Sequence, residues 1–479
     1  MQTTDDAVTE FVPRLGLLDA TMIVSGSMIG SGIFIVTAEI TRNVGGAGWM
    51  LAMWALAGLV TVIAAVSYGE LAAMFPKAGG QYVYLREAYN PLVGFLYGWS
   101  FFTVIQTGTI AAVGVAFAKF TAYLIPAFSE TNFLLDLSFF RLSAAQLVSI
   151  FIIVLLTYIN SRGVKEGAAL QTFLTLVKLV SLFGLIVCGF IWGVDADVWR
   201  ANWQNAWSLS ALNQADGQVT YTSLSGLAAF GAIAIAMKGT LFSSDSWHSI
   251  TSIASEVKRP QRNIGLSLVL GTLVVTAIYL LANLMYLAVV PLKAIAFAPS
   301  DRVGVVAADY IFGSSGTIII AIMVMISTFG CNNGLILSGA RVYYIMAKDG
   351  LFFRKAGVLN KNDVPGFSLW TQCIWASVLC LTGEYNNLLA LVIFGVLIFY
   401  ILTILGIYRL RRLRPDLDRP YKAPGYPFLP AIYVVVAAVL AVLLLIFETQ
   451  YTLPGLGIIL SGVPVYYLLI RQGNKAAAN

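Results

Sequence analysis

Apolar residues run along this chain in long stretches, one after another, with short polar interruptions between them. A bilayer core needs roughly 20 mostly apolar residues per crossing helix. Read against charge and Pro/Gly punctuation, the runs predict helices over 16–40, 48–75, 91–127, 143–160, 167–193, 223–247, 264–290, 316–347, 368–384, 387–409, 428–447 and 453–472. The pattern predicts an all-α integral membrane protein with about twelve transmembrane helices. Tails over 1–15 and 473–479 flank a first set of five helices (16–193), a second set of five (223–409) and two more (428–472).

Composition agrees with this pattern. Of 479 residues, 59% are hydrophobic and 11% charged, which excludes a soluble globular class and leaves little room for a soluble domain. The segment from Met1 to Phe11 is acidic and lacks the basic start and cleavage site of a signal peptide, so it is expected to stay in the cytoplasm. With a cytoplasmic N-terminus, most of the 29 lysines and arginines fall on inner loops and the C-terminal tail. The outer side holds only Arg42, Arg141, Arg200, Lys293 and Arg302, while Lys119, Lys178 and Lys238 lie within apolar segments. The positive-inside rule then places both termini in the cytoplasm, and the plasma membrane, a bacterial inner membrane, is the expected location.

The net charge of +6 is spread over loops rather than gathered on one domain, which argues against a nucleic-acid partner. Arg409 to Lys422 is the densest basic stretch and reads as an anchor beside anionic headgroups. Cys188, Cys331, Cys373 and Cys380 lie in apolar stretches without metal-ligand spacing and read as buried hydrophobes. No metal or cofactor is expected.

Two helices carry stretches that favour a break. The first contains Gly26-Ser27-Met28-Ile29-Gly30-Ser31-Gly32, and the sixth contains Phe242-Ser243-Ser244-Asp245-Ser246. Each glycine costs about 1 kcal/mol relative to alanine in a helix interior, and serine competes for backbone hydrogen bonds. A helix broken inside a membrane is tolerated only where its backbone faces protein or a polar cavity. If helices one to five and six to ten are two repeats, the breaks occupy corresponding positions, and an odd number of spans per repeat makes the repeats inverted. Freed amides at Ser31, Gly32 and Ile33 suit a carboxylate at the positive end of a half-helix. Freed carbonyls near Met28, Ile29, Phe242 and Ser243 suit an ammonium group, so the two breaks together suit a zwitterion.

Gly26 to Phe34, reading GSMIGSGIF, resembles the first-helix motif of the amino acid-polyamine-organocation superfamily, specifically its L-amino acid transporter branch. The resemblance extends to YGELAAMFPKAGGQYVYLREAYNPLVGFLYGW (68–99), SEVKRPQRNI (255–264), FGCNNG (329–334) and YKAPGYPFLP (421–430), and so covers nearly the whole chain. It implies a leucine-transporter-type fold of ten core helices plus two, working by alternating access. It further implies that the substrate carboxylate lies on the amides of Gly30, Ser31 and Gly32. The amino group would lie on carbonyls of Met28, Phe242 and Asp245, with Phe242 closing the site from outside. At the sixth-helix break, relatives often read F-[SA]-Y-[DG]-G-W, whereas this chain has Phe242-Ser243-Ser244-Asp245-Ser246-Trp247. The smaller, hydroxyl-rich wall points to alanine, serine or threonine.

Charge inside a span is costly, so a lysine there is a functional candidate. Lys178 stands where relatives have a lysine in place of a sodium ion, and its ammonium group is expected to bridge the first helix to the fifth or to support packing. Lys238, one turn before Phe242, has three readings: a pair with Asp245, a receptor for an acidic substrate, or a stabiliser of a wet vestibule. Lys119 is expected to snorkel outward, and Gln106 to line the cavity. Asn332 and Asn333 either line it or bond between helices. His248, the single histidine, reads as packed or capped. Glu256 with Lys258, Arg259 and Arg262 reads as an ion-pair gate or a solvated face.

No GxSxG, HExxH or metal cluster is present in the sequence, so an enzyme is not expected. The leading expectation is a sodium-independent exchanger of small neutral amino acids. The alternatives are a proton-coupled symporter and a sensor that binds without transporting. Some relatives pair with a glycoprotein through a cysteine between the third and fourth spans; this chain has none there, so no partner subunit is expected.

Overall fold

A computed structural model describes residues 15–76, 79–137, 140–362, 364–382 and 385–478. The acidic tail through Arg14, and Lys77, lie outside the described residues, as do the side chains of Lys165, Arg471 and Lys475.

In hydrocarbon a backbone satisfies its hydrogen bonds only within itself, and nearly every predicted run forms a helix. The principal helices are α1 (Leu17–Met28), α2 (Gly32–Val44), α3 (Ala47–Met74), α4 (Gln81–Ala88) and α5 (Pro91–Leu124). They continue with α6 (Ala144–Ser161), α7 (Val164–Cys188), α8 (Gly226–Ser243), α9 (Ser249–Ser252) and α10 (Pro260–Val289). The last five are α11 (Ser314–Lys348), α12 (Gly366–Thr382), α13 (Tyr385–Leu413), α14 (Phe428–Phe447) and α15 (Thr449–Ala478).

Among the described residues, ten helices are long and apolar enough to cross a membrane, and α1 with α2 makes up to eleven. The expected count of about twelve includes α12, which at 17 residues falls below that length. Large apolar side chains such as Leu59, Phe151, Phe183, Ile374 and Val435 face outward, as a bilayer requires. The interior is formed where α3 packs along α10, α8 along α2, and α5 along α11.

Two β-hairpins, β1–β2 (Phe133–Leu137, Phe140–Ser143) and β3–β4 (Ser210–Ala215, Gln218–Ser223), decorate one face and were not expected from the apolar runs. The second turns on Asp216-Gly217, both at positive φ (50° and 76°), the dipeptide that two-residue hairpins favour.

The opposite face is knitted together by loops. Leu15 forms a parallel bridge with the segment after α9: its amide donates to the Glu256 carbonyl (3.0 Å) and its carbonyl accepts from the Lys258 amide (2.8 Å). Glu256 pairs with Arg341 at 3.0 Å. Glu70 on α3 is fully buried and accepts from Arg411 twice (2.8 and 2.6 Å) and from the Ala423 amide (2.8 Å), with Arg419 at 3.7 Å. Two arginines of the densest basic stretch therefore turn inward to a carboxylate, which corrects their reading as headgroup anchors.

Candidate functional site at the two helix breaks

α1 ends at Met28 because Ile29 is extended (φ −74°, ψ 99°), and the chain re-enters a helix at Gly32 with a bend of 46°. The amide of Ile29 still caps α1 by donating to the Ser25 carbonyl (3.1 Å). Among the described residues none of the amides from Gly30 to Ile33 meets a backbone carbonyl, so this run of donors stands at the positive end of α2.

α8 ends at Ser243. The Ser244 amide donates to the carbonyls of Thr240 (3.0 Å) and Leu241 (3.1 Å), the Asp245 amide donates to the Phe242 carbonyl (3.2 Å), and Ser246 takes φ +66° before α9 begins. The Phe242 carbonyl is thus occupied in this conformation. Ser246 is a non-glycine residue in the positive-φ region that glycine, which has no Cβ, occupies freely.

The two breaks touch. A Cβ on Gly32 would lie 2.0 Å from Ser243 Oγ, so only glycine lets α2 start against the end of α8. On the other side of the first break, Cys331 Sγ lies 3.3 Å from where a Cβ on Gly30 would stand. Tyr279 on α10 spans both breaks: its hydroxyl lies 3.0 Å from the Met28 carbonyl and 2.9 Å from the Ser243 carbonyl. A phenol has one proton to donate, so at any moment one of these carbonyls keeps an open acceptor site. Higher on α10, Asn283 accepts from Thr37 (2.9 Å) and Tyr286 donates to the Ile33 carbonyl (3.4 Å). The polar stripe Tyr279, Asn283, Tyr286, spaced by four and three residues, aligns α10 with both halves of the broken span. That spacing along one helix face is the signal by which the sequence carries the stripe.

Ser31 Oγ lies 3.3 Å from the Tyr385 hydroxyl, and the Tyr385 ring meets Phe242 edge-on with centroids 6.1 Å apart. Lys119, expected to snorkel away, places its ammonium group 5.9 Å from the centre of the same ring. Lys178, 1% exposed, donates to the Gly26 carbonyl of α1. Gln106 follows a π turn over Phe101–Ile105 and donates to the Leu335 carbonyl (2.6 Å); it shares a narrow cavity with Asp245, Ser246 and His248. Asn333 accepts from Asn160 (2.8 Å), whereas both amide atoms of buried Asn332 lack a partner among the described residues.

Lys238 does not reach Asp245. It is 2% exposed and holds Glu39 of α2 (3.1 Å) and Glu448 at the α14–α15 corner (3.0 Å), which corrects its reading as a partner of Asp245. Asp245 instead accepts from the Tyr400 hydroxyl (2.6 Å).

The profile of the amino acid permease family matches residues 15–469. The chain is 29% identical over 472 residues to the serine/threonine exchanger SteT of Bacillus subtilis, covering 98% of both chains. It is 28% identical over 470 residues to the b(0,+)-type amino acid transporter 1 of Mus musculus (98% of this chain, 90% of that one). A similar identity, 28% over 464 residues, relates it to the large neutral amino acids transporter small subunit 2 of Homo sapiens (96% of this chain, 81% of that one).

Proposed function

The chain belongs to the amino acid permease family, and from that premise we propose that it is a secondary active transporter of small neutral L-amino acids, working as a sodium-independent exchanger by alternating access. The observation that carries this reading is the meeting of the two breaks, where Gly32 abuts Ser243 and one tyrosine hydroxyl reaches carbonyls of both. The substrate carboxylate rests on the amides of Gly30, Ser31 and Gly32. Its ammonium group takes the carbonyls of Met28 and Ser243, displacing the Tyr279 hydroxyl, with Ile29 and Asp245 offering further acceptors and Phe242 closing the site.

Small substrates are favoured by Ser243 and Ser244 at the wall, and because Asp245 is already engaged by Tyr400 rather than free for a cationic side chain. Asn332 supplies an unfilled amide for a substrate hydroxyl. Lys178 serves as a fixed surrogate for a bound cation, both termini face the cytoplasm of a bacterial cell, the two sets of five spans form the inverted repeats, and the protein works without a partner subunit.

The test is uptake of labelled L-serine and L-alanine into sodium-free proteoliposomes, empty or preloaded with unlabelled amino acid. The reading expects uptake only into preloaded vesicles, with serine competing better than leucine or phenylalanine. Failure of small amino acids to be taken up under either condition overturns it.

A further inference from the structure

The second break carries a hydrogen-bonded chain of side chains whose protons the amino acid contacts proposed above leave unassigned. The Tyr400 hydroxyl, on α13, lies 2.6 Å from Asp245 Oδ1 and 2.7 Å from His248 Nδ1. One phenol proton serves one of these neighbours. If the phenol donates to the carboxylate, its oxygen accepts from an Nδ1–H, which leaves Nε2 as the imidazole atom open to a further proton.

The groups that face this chain are known from each packed element. α3 contributes Tyr68, whose ring centre is 5.6 Å from that of Tyr400; α5 contributes Tyr97 and Gln106; α14 contributes Tyr433. The Trp247 ring packs against both Tyr400 and His248. α11 contributes Ser338, and one turn further Arg341 is paired with Glu256. Among the described residues no lysine or arginine lies within ion-pair distance of Asp245. With a neutral imidazole the break therefore holds one buried carboxylate with no opposite charge beside it, a costly arrangement in low dielectric. A proton on His248 removes that imbalance through a single hydroxyl. His248 and Asp245 line the same narrow cavity, with Ser249 and Ser338, so polar side chains stand beside the imidazole.

We propose that His248, Tyr400 and Asp245 form a proton-binding site in which His248 Nε2 takes one proton from the cavity and Asp245 balances it through the Tyr400 hydroxyl, linking amino acid exchange to pH. The link to transport rests on the reading of the chain as an amino acid exchanger. Asp245 and Phe242 share one turn of the break, joined by the amide-to-carbonyl bond of 3.2 Å, so the charge state of the chain bears on the residue that closes the site.

The protein has one histidine, so histidine-labelled protein in lipid nanodiscs yields a single imidazole signal. Nitrogen chemical shifts are expected to show the Nδ1–H tautomer in the neutral form and conversion to imidazolium on acidification from about pH 8 to about pH 4. Tyr400→Phe is expected to lose the tautomer preference. In preloaded proteoliposomes the wild-type exchange rate changes by at least about threefold across that range, and His248→Gln exchanges with a flat profile. An Nε2–H tautomer, an imidazole that stays neutral throughout, or a His248→Gln profile identical to wild type overturns the proposal. An imidazole that behaves as expected in a protein that moves no amino acid would instead overturn the transport reading and leave the proton site standing.

Discussion

Lys178 donates to the carbonyl oxygen of Gly26, the acceptor that the amide of Gly30 would use if α1 continued unbroken. The lysine thus stabilises the break by satisfying a carbonyl that the break itself orphans. Lys178→Ala leaves that carbonyl buried and unpaired, a cost of about 1–3 kcal/mol. The expected result is a loss of initial uptake of at least about tenfold, with a much smaller fall in the yield of monodisperse protein. Measuring both on the same preparation separates the roles, because parallel losses would make the lysine structural only.

Tyr279 gives a prediction of a different kind, since its hydroxyl occupies the carbonyls assigned to the substrate's ammonium group. Tyr279→Phe removes one hydrogen bond shared between two acceptors and is expected to cost about 1 kcal/mol of stability in the free protein. Added serine then restores what the phenol supplied. Thermal unfolding in detergent is expected to show a lower midpoint without substrate and a larger serine-induced rise than in wild type. An unchanged or smaller rise would place the ammonium group elsewhere.

How much of this was legible in the sequence depends on whether the signal was local. The breaks at Gly30 and Ser244 could be read because glycine, serine and aspartate interrupt apolar runs whatever surrounds them. Lys178 could be placed because a lysine in a span must find an acceptor. Its fellow Lys238 could not, because Glu39 and Glu448 lie 199 and 210 residues away in sequence and nothing local to any of the three points to the others. Glu70 and Arg411 were hidden for the same reason. The His248–Tyr400–Asp245 chain was half visible: two of its members lie in the break, but Tyr400 comes from another helix and is one of 22 tyrosines.

The Glu39–Lys238–Glu448 triad ties both broken spans to the α14–α15 corner. Lys238→Met strands two largely buried carboxylates, and breaking such a pair by removing one partner costs about 3–5 kcal/mol. A large fall in the thermal midpoint is expected. Replacing the carboxylates as well, with Glu39→Gln and Glu448→Gln in the same protein, is expected to recover much of it, because no uncompensated charge then remains. If the triple variant is no more stable than Lys238→Met, charge is not what the triad balances.

Ser246, which carries a side chain, holds a left-handed backbone at φ +66°. An L side chain in that region costs roughly 1–2 kcal/mol, so Ser246→Gly is expected to be tolerated and to raise the unfolding midpoint. Ser246→Val, branched at Cβ, is expected to lower it and to reduce the yield of folded protein. The pair of variants checks the backbone conformation of the second break without touching any charge.

The contact between the breaks is tested most directly at Gly32. A methyl group there would stand 2.0 Å from Ser243 Oγ, 2.7 Å from Ser243 Cβ and 3.1 Å from its Cα, so the half-helix α2 has to move off α8 to make room. Such a shift also displaces the amides that receive the carboxylate, and a misplacement of about 1 Å costs on the order of a hundredfold in a positioned site. Gly32→Ala is therefore expected to abolish measurable exchange while the protein still purifies. Ser243→Gly in the same chain removes the two closest atoms and leaves only the 3.1 Å approach to Cα. Partial recovery of uptake in the double variant would show that the two residues act on each other. Equal inactivity of the single and double variants would mean that Gly32 is required for its own amide geometry and not for the meeting of the spans.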